Sequence, residues 1–199
     1  MSHIAIVDSG GANIASLLFA FERLGVAAEL TTDADTIRGA ERVLLPGVGA
    51  ARDAMQRLID ARLVDVIRGL RQPVLGICLG MQLLCDASEE EDVECLSIIP
   101  GTATKLKVAD ACAVPNMGWC ATRIVNTHPV LEGIDDGSWF YYLHSYAVPV
   151  GDCTLATARH STEFSAMIGK DNFVASQVHP ERSSAAGAHL LRNFLEWQA

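Results

Sequence analysis

Two hydrophobic periods alternate along the first eighty or so positions. His3 to Val7 is an apolar run suited to a fully buried strand. Val26 to Leu30 reads as a second strand, Arg42 to Leu45 as a third, and the stretch ending at Cys78 as a fourth. Between the strands, Ile14, Leu17, Leu18, Phe21 and Leu24 recur at helical spacing, with Gly25 placed to end that helix. Further helical segments are predicted over about 50–59 and 62–71. Strand and helix in alternation predict a parallel sheet with right-handed crossovers. Ligands bind such sheets beyond the carboxyl ends of the strands.

From about position 97 the helical period fades. Strand-like pieces near 101–107, 119–125, 139–147, 153–158, 164–168 and 172–177 predict hairpins or an added antiparallel edge. Ser183 to Gln198 closes the chain as a helix, with Leu190, Leu191, Phe194, Leu195 and Trp197 apolar. The expected fold class is α/β: an open, mostly parallel twisted sheet flanked by helices, with added antiparallel strands in the C-terminal half. The acidic run Glu89 to Asp92 reads as a solvated loop. No repeat or linker divides the 199 residues, half of them hydrophobic, so a single domain over 1–199 is expected.

Composition narrows the partners. A net charge of −9 and a pI near 5.0 argue against nucleic acid and anionic membranes. The N-terminal apolar run is too short for a signal h-region, and no segment reaches bilayer-spanning length. Cysteines stand at 78, 85, 95, 112, 120 and 153, with no C-x-x-C pair and no histidine at zinc-finger spacing. The expectation is a soluble cytoplasmic chain with reduced thiols, no metal site and no cofactor.

The chemistry gathers in three stretches. Gly76 and Gly80 flank Cys78 as glycines flank the nucleophile of a strand-to-helix elbow, where neighbours without a Cβ make room for the packed helix and a substrate. The following helix offers unpaired N–H groups and a positive dipole end to a thiolate. The competing reading is a buried structural cysteine. Gln177-Val178-His179-Pro180-Glu181 follows an apolar strand and precedes the last helix. Pro180 biases His179 toward extended backbone, so His179 and Glu181 face one site, or Glu181 reaches the imidazole nitrogen that points away from it. A histidine oriented by a carboxylate is the base a cysteine nucleophile needs. The third stretch, Pro46-Gly47-Val48-Gly49, comes directly after the third strand, where elbow enzymes draw one oxyanion donor, here the N–H of Val48; the other is the N–H of Leu79. Read as a phosphate cradle, that loop lacks both the Lys-Ser/Thr ending and the third glycine.

On Gly76-Ile77-Cys78-Leu79-Gly80-Met81-Gln82, Pro46 to Gly49 and His179-Pro180-Glu181, the sequence resembles the class I glutamine amidotransferases. The resemblance implies a Cys78–His179–Glu181 triad that hydrolyses the side-chain amide of L-glutamine through a thioester and releases ammonia. It also implies that Gly47, Gly49, Gln82, Ser145 and Tyr146 hold the substrate. Within the family, Pro115 to Trp119, Tyr141 to Tyr146 and the loop before Asn13 are most similar to the glutaminase subunits of histidine biosynthesis. That narrower likeness implies a separate cyclase partner with a (βα)8 barrel, forming a heterodimer with this chain and joining ammonia to a phosphorylated ribulosyl substrate. Asn13, Trp119, Tyr141 and Arg182 would face it. Glutaminases of anthranilate or pyridoxal phosphate synthesis fit Pro115 to Trp119 and His144 to Tyr146 less well. A non-catalytic relative would be expected to have a broken triad. Departures from the pattern are a missing glycine before Asn13, Asn116 and Cys120 around Gly118-Trp119, and Val178 before His179.

Overall fold

A computed structural model describes residues 3–10, 14–108 and 112–199. The first half runs β1 (His3–Val7), α1 (Ile14–Arg23), β2 (Ala27–Thr31), α2 (Ala34–Gly39), β3 (Arg42–Gly47), α3 (Ala51–Asp60), α4 (Val64–Arg68), β4 (Val74–Cys78) and α5 (Leu79–Leu84). Alternate residues of the strands bury on opposite faces, as the pleat requires. Ile4, Ile6, Leu44, Leu75 and Ile77 join Leu17 and Phe21 of α1 in one core layer. Ala5, Val7, Val43, Leu45 and Val74 join Ile37, Leu58, Ile67 and Leu83 of the other helices in a second layer. Neither face reaches water, which is why these strands are continuously apolar rather than alternating.

The second half holds β5 (Ala87–Ser88), β6 (Val93–Glu94), β7 (Thr102–Lys105), β8 (Asn116–Ile124), β9 (Ser138–His144), β10 (Tyr146–Ala147), β11 (Thr154–Arg159), β12 (Glu163–Lys170), β13 (Phe173–Ser176) and α6 (Ser184–Glu196). One nine-stranded sheet has the order β2-β1-β3-β4-β13-β12-β11-β8-β9. Its strands are parallel from β2 to β13 and antiparallel beyond. The later strands therefore extend the same sheet, with β13 laid parallel against β4. A smaller sheet, β10-β7-β5-β6, stands beside it. Because β1 pairs with β2 on one side and β3 on the other, the carboxyl ends of β1 and β3 flank a topological switch point, where such folds place ligands.

Three details differ from the sequence expectation. α2 is an added helix, capped where Thr36 N donates to Asp33 Oδ1 at 2.7 Å. The acidic run is more than a solvated loop: Ala51 N, at the start of α3, donates to Glu90 Oε2 at 3.0 Å, and Arg52 pairs with Glu91 at 3.5 Å. The backbone after His179 is a 3₁₀ turn, Pro180–Arg182, rather than an extended segment.

Candidate active site

The elbow is set by backbone crowding. Cys78 ends β4 with φ 54° and ψ −109°, a conformation that L residues rarely adopt and that costs about 1–3 kcal/mol. α5 starts at the next residue and lies so close to β3 that a Cβ on Gly80 would overlap Leu45 O. A Cβ on Gly76 would come within 2.9 Å of Gly80 O. Only glycine at both positions allows the turn to close and lift the Cys78 side chain into the pocket.

His179 is held from several sides. Its N–H donates to Tyr141 O at 2.9 Å, and Ser183 Oγ donates to His179 O at 2.7 Å while accepting from Tyr141 N at 3.0 Å. The 3₁₀ turn brings Glu181 back beneath the ring, so that Oε1 lies 3.0 Å from Nδ1, with both side chains buried. Nε2 is thereby left to act toward Cys78. Burial alone would lower the His179 pKa, but hydrogen bonding to Cys78 and Glu181, with the negative charge of both, outweighs it and raises the value to about 10. The imidazole therefore favours its protonated form.

Cys78, Leu79, Val48, Gly49, Gln82, Ser145, Tyr146 and His179 line one pocket, together with Glu90, Pro115, Leu143 and His144. Its volume of about 280 Å³ lies near the lower end for small-molecule sites. Gly47 lines instead a second crevice, with Gly10, Ile14, Pro46, His179 and Glu181. That crevice, about 10 Å³, has room for no more than a water. Gly47 pairs with Cys78 across β3 and β4, which brings the glycine loop alongside that cysteine. Ser9 Oγ, buried, donates to Pro46 O at 2.7 Å and fixes where that loop begins.

His144 sits in the pocket wall as a neutral ring. The Tyr146 carbonyl can only accept, so His144 Nδ1, 2.9 Å away, carries the proton, and Nε2 accepts from Asn116 Nδ2 at 3.1 Å. Burial pushes its pKa down to about 4, with His160 and His179 adding to the effect. Cys120 Sγ donates to Asn116 Oδ1 at 3.6 Å, so two of the departing residues form one hydrogen-bonded pair. Val178 bridges to Tyr142 and is buried.

Outside the pocket, Trp119 and Tyr141 meet edge to face with ring centroids 6.1 Å apart, and the Arg182 guanidinium lies 4.4 Å above the Tyr141 ring. Asn13 falls outside the described residues. Glu90, Leu143 and Gln177 belong to the site without having been singled out in the sequence. Glu90 was hidden in an acidic run, Leu143 in a strand, and Gln177 beside the residues it supports.

The family model for glutamine amidotransferase class-I matches residues 5–197. The chain belongs to that family. Among curated relatives, imidazole glycerol phosphate synthase subunit HisH of Shewanella oneidensis is 45% identical over 212 residues, covering 98% of this chain and 96% of the relative. HisH of Xylella fastidiosa (strain 9a5c) is 44% identical over 199 residues, covering 100% of both. Among solved structures, one described as a glutamine amidotransferase superposes with a TM-score of 0.75 at 17% identity, covering 97% of each chain. A putative GMP synthase protein from Thermoplasma acidophilum gives 0.71 at 19% identity, covering 98% of this chain and 93% of that one. These two likenesses establish the fold.

Proposed function

We propose that this chain is the glutaminase subunit of an imidazole glycerol phosphate synthase, hydrolysing L-glutamine and passing ammonia to a cyclase subunit in histidine biosynthesis. The observation that carries the reading is the buried His179–Glu181 pair, 3.0 Å apart, beside an elbow cysteine in one pocket. In the proposed mechanism, Cys78 gives its proton to His179 Nε2, and the thiolate attacks the side-chain amide carbon. Glu181 keeps the ring in the tautomer that leaves Nε2 free to take it. The backbone N–H groups of Val48 and Leu79 receive the oxyanion. Collapse breaks the C–N bond, His179 returns the proton to the leaving nitrogen, and ammonia departs from a thioester. Water, deprotonated by His179, then attacks that thioester and releases glutamate.

Both N–H bonds of the Gln82 amide are directed at protein acceptors, Tyr146 O and Gln177 Oε1, each 3.1 Å away. What Gln82 offers glutamine is therefore Oε1, an acceptor suited to the α-ammonium group. Gly49, Ser145 and Tyr146 complete the seat with backbone groups, while Gly47, expected there from the sequence, lines the second crevice. The partner is proposed to be a (βα)8-barrel cyclase forming a heterodimer with this chain, which acts as one domain. The continuous nine-stranded sheet supports the single domain. The outer face of the β8–β9 pair is proposed to carry the contact. There Met117, Trp119 and Trp139 stand exposed around Tyr141, and Arg182 stacks above it. A cytoplasmic location suits six unpaired thiols, and no described helix is long and apolar enough to cross a membrane.

The test is Cys78→Ser in the assembled complex. Glutamine-dependent synthesis should be lost while synthesis from added ammonia persists, since ring formation belongs to the partner. Loss of both reactions with the complex intact would reject the role.

A further inference from the structure

Once Cys78 has lost its proton, the triad offers the sulfur one donor, the protonated His179, and leaves room for a second. As a thiol, Cys78 Sγ donates to Leu143 O at 3.6 Å. Once the proton has gone to His179, that carbonyl faces the negative sulfur with nothing to give it. Gln177 lies on the other side. It is fully buried, its N–H anchored to Ala166 O at 2.8 Å, and its side-chain Nε2 is 3.6 Å from Cys78 Sγ.

The direction of that amide follows from a carbonyl several residues away. Tyr146 O can only accept, so the Gln82 atom 3.1 Å from it must be the nitrogen. The same nitrogen lies 3.1 Å from the Gln177 side chain, which must therefore present Oε1 to it. With Oε1 committed, Gln177 turns its N–H toward the sulfur. Each amide has one orientation that satisfies the buried chain, and reversing either would set like poles together.

We propose that Gln177 is a further catalytic residue: its side-chain N–H donates to Cys78 Sγ whenever the sulfur is negative, in an orientation fixed through Gln82 by the Tyr146 carbonyl. The sulfur carries charge before it attacks the amide and again when water displaces it from the thioester, so Gln177 serves both halves of the cycle. The proposal rests on Cys78 being the nucleophile. It also gives Gln82 a second task beside holding glutamine.

The test is iodoacetamide alkylation of the full chain against pH, following the peptide that contains Cys78 by mass spectrometry. In the native chain Cys78, although buried, should react faster at neutral pH than the more accessible Cys112, Cys120 or Cys153. If it does not, the reading of Cys78 fails, and that is visible before any Gln177 variant is made. In Gln177→Met, which keeps the length and removes the donor, the Cys78 profile should move to higher pH by about one unit, with the neutral-pH rate falling about tenfold. Gln177→Glu keeps an oxygen toward Gln82 and puts another toward the sulfur, so its profile should move further. His179, Glu181, His144, Tyr146 and Glu90, the other titratable groups around the pocket, are unchanged in both. In the complex, glutamine turnover should fall in kcat, because Gln177 touches the sulfur, with a smaller rise in KM from the loosened Gln82. A Cys78 profile unchanged in a folded Gln177→Met chain would overturn the proposal. If neither variant folds, Gln82→Met tests it from the other end: it frees the Gln177 amide to turn, and an unchanged profile there would overturn it equally.

Discussion

A buried histidine that never acts as a base still leaves a signature. His144 is neutral because both ring nitrogens have partners suited to only one tautomer, and burial lowers its pKa from 6.5 to about 4. Between those values the unfolded chain binds a proton that the folded chain refuses. Stability is therefore full above about pH 6.5 and is lost as pH falls toward 4, by an amount on the order of 3 kcal/mol for this group alone. His144→Gln should flatten the acid side of a plot of melting temperature against pH, while the alkaline side, where His179 titrates, keeps its slope. An acid slope as steep as in the native chain would show that another group carries it. At this scale the sequence was readable where a residue type announces its chemistry, as Cys78 and His179 do. Gln177 and Ser9 announce nothing, because an amide or a hydroxyl becomes part of a site only through the acceptor it meets. Those acceptors, Tyr146 O by way of Gln82 and Pro46 O, are far away in sequence.

Elements whose burial follows one period were legible, and those built for a local purpose were not. β1 and β3, past their first residues His3 and Arg42, and all of β4 are apolar because both faces are covered, and α1 shows its stripe because only one face is. α2 buries only Ile37, so it has no period to detect, although Asp33 marks its cap. The turn at Pro180–Arg182 was missed because proline suits both an extended residue before it and a 3₁₀ turn after it. The β8–β9 pair is the element most open to test. Met117 faces Leu143, Trp119 faces Tyr141 and Ala121 faces Trp139, all turned outward, while Phe140, Tyr142 and His144 are buried behind them. Leu143 also lines the pocket, so whatever seats on this face abuts the mouth of the site. Arg182 over Tyr141 supplies the positive charge at its rim. Arg182→Glu should weaken assembly with the cyclase about tenfold or more, or leave assembly intact and uncouple glutamine hydrolysis from synthesis. Unchanged affinity together with unchanged coupling would reduce Arg182 to a solvated side chain of little consequence.

At the scale of the whole molecule, the sheet fixes Cys78 and leaves one neighbour adjustable. β3 is tied to β4 as far as the pairing of Gly47 with Cys78, and Ser9 holds the Pro46 carbonyl, so rearrangement of the oxyanion loop is confined to Gly47, Val48 and Gly49. Gly49 has φ 94°, which residues with a Cβ rarely adopt, and a turn of the peptide joining Gly47 to Val48 would move one N–H toward or away from the pocket. Losing one oxyanion donor costs about a hundred- to a thousandfold in rate. A chain that released ammonia without a cyclase ready to use it would waste glutamine, so this peptide is a physical means of holding hydrolysis in check. A partner can drive the turn only by binding its two arrangements with different affinity. Glutamine hydrolysis should accordingly be slow in the isolated chain, little changed by the empty cyclase, and about a hundredfold or more faster when the cyclase carries its substrate or an analogue. Equal turnover in the three states would remove the gate and leave Val48 a fixed donor, whatever is found for Cys78, His179 and Glu181.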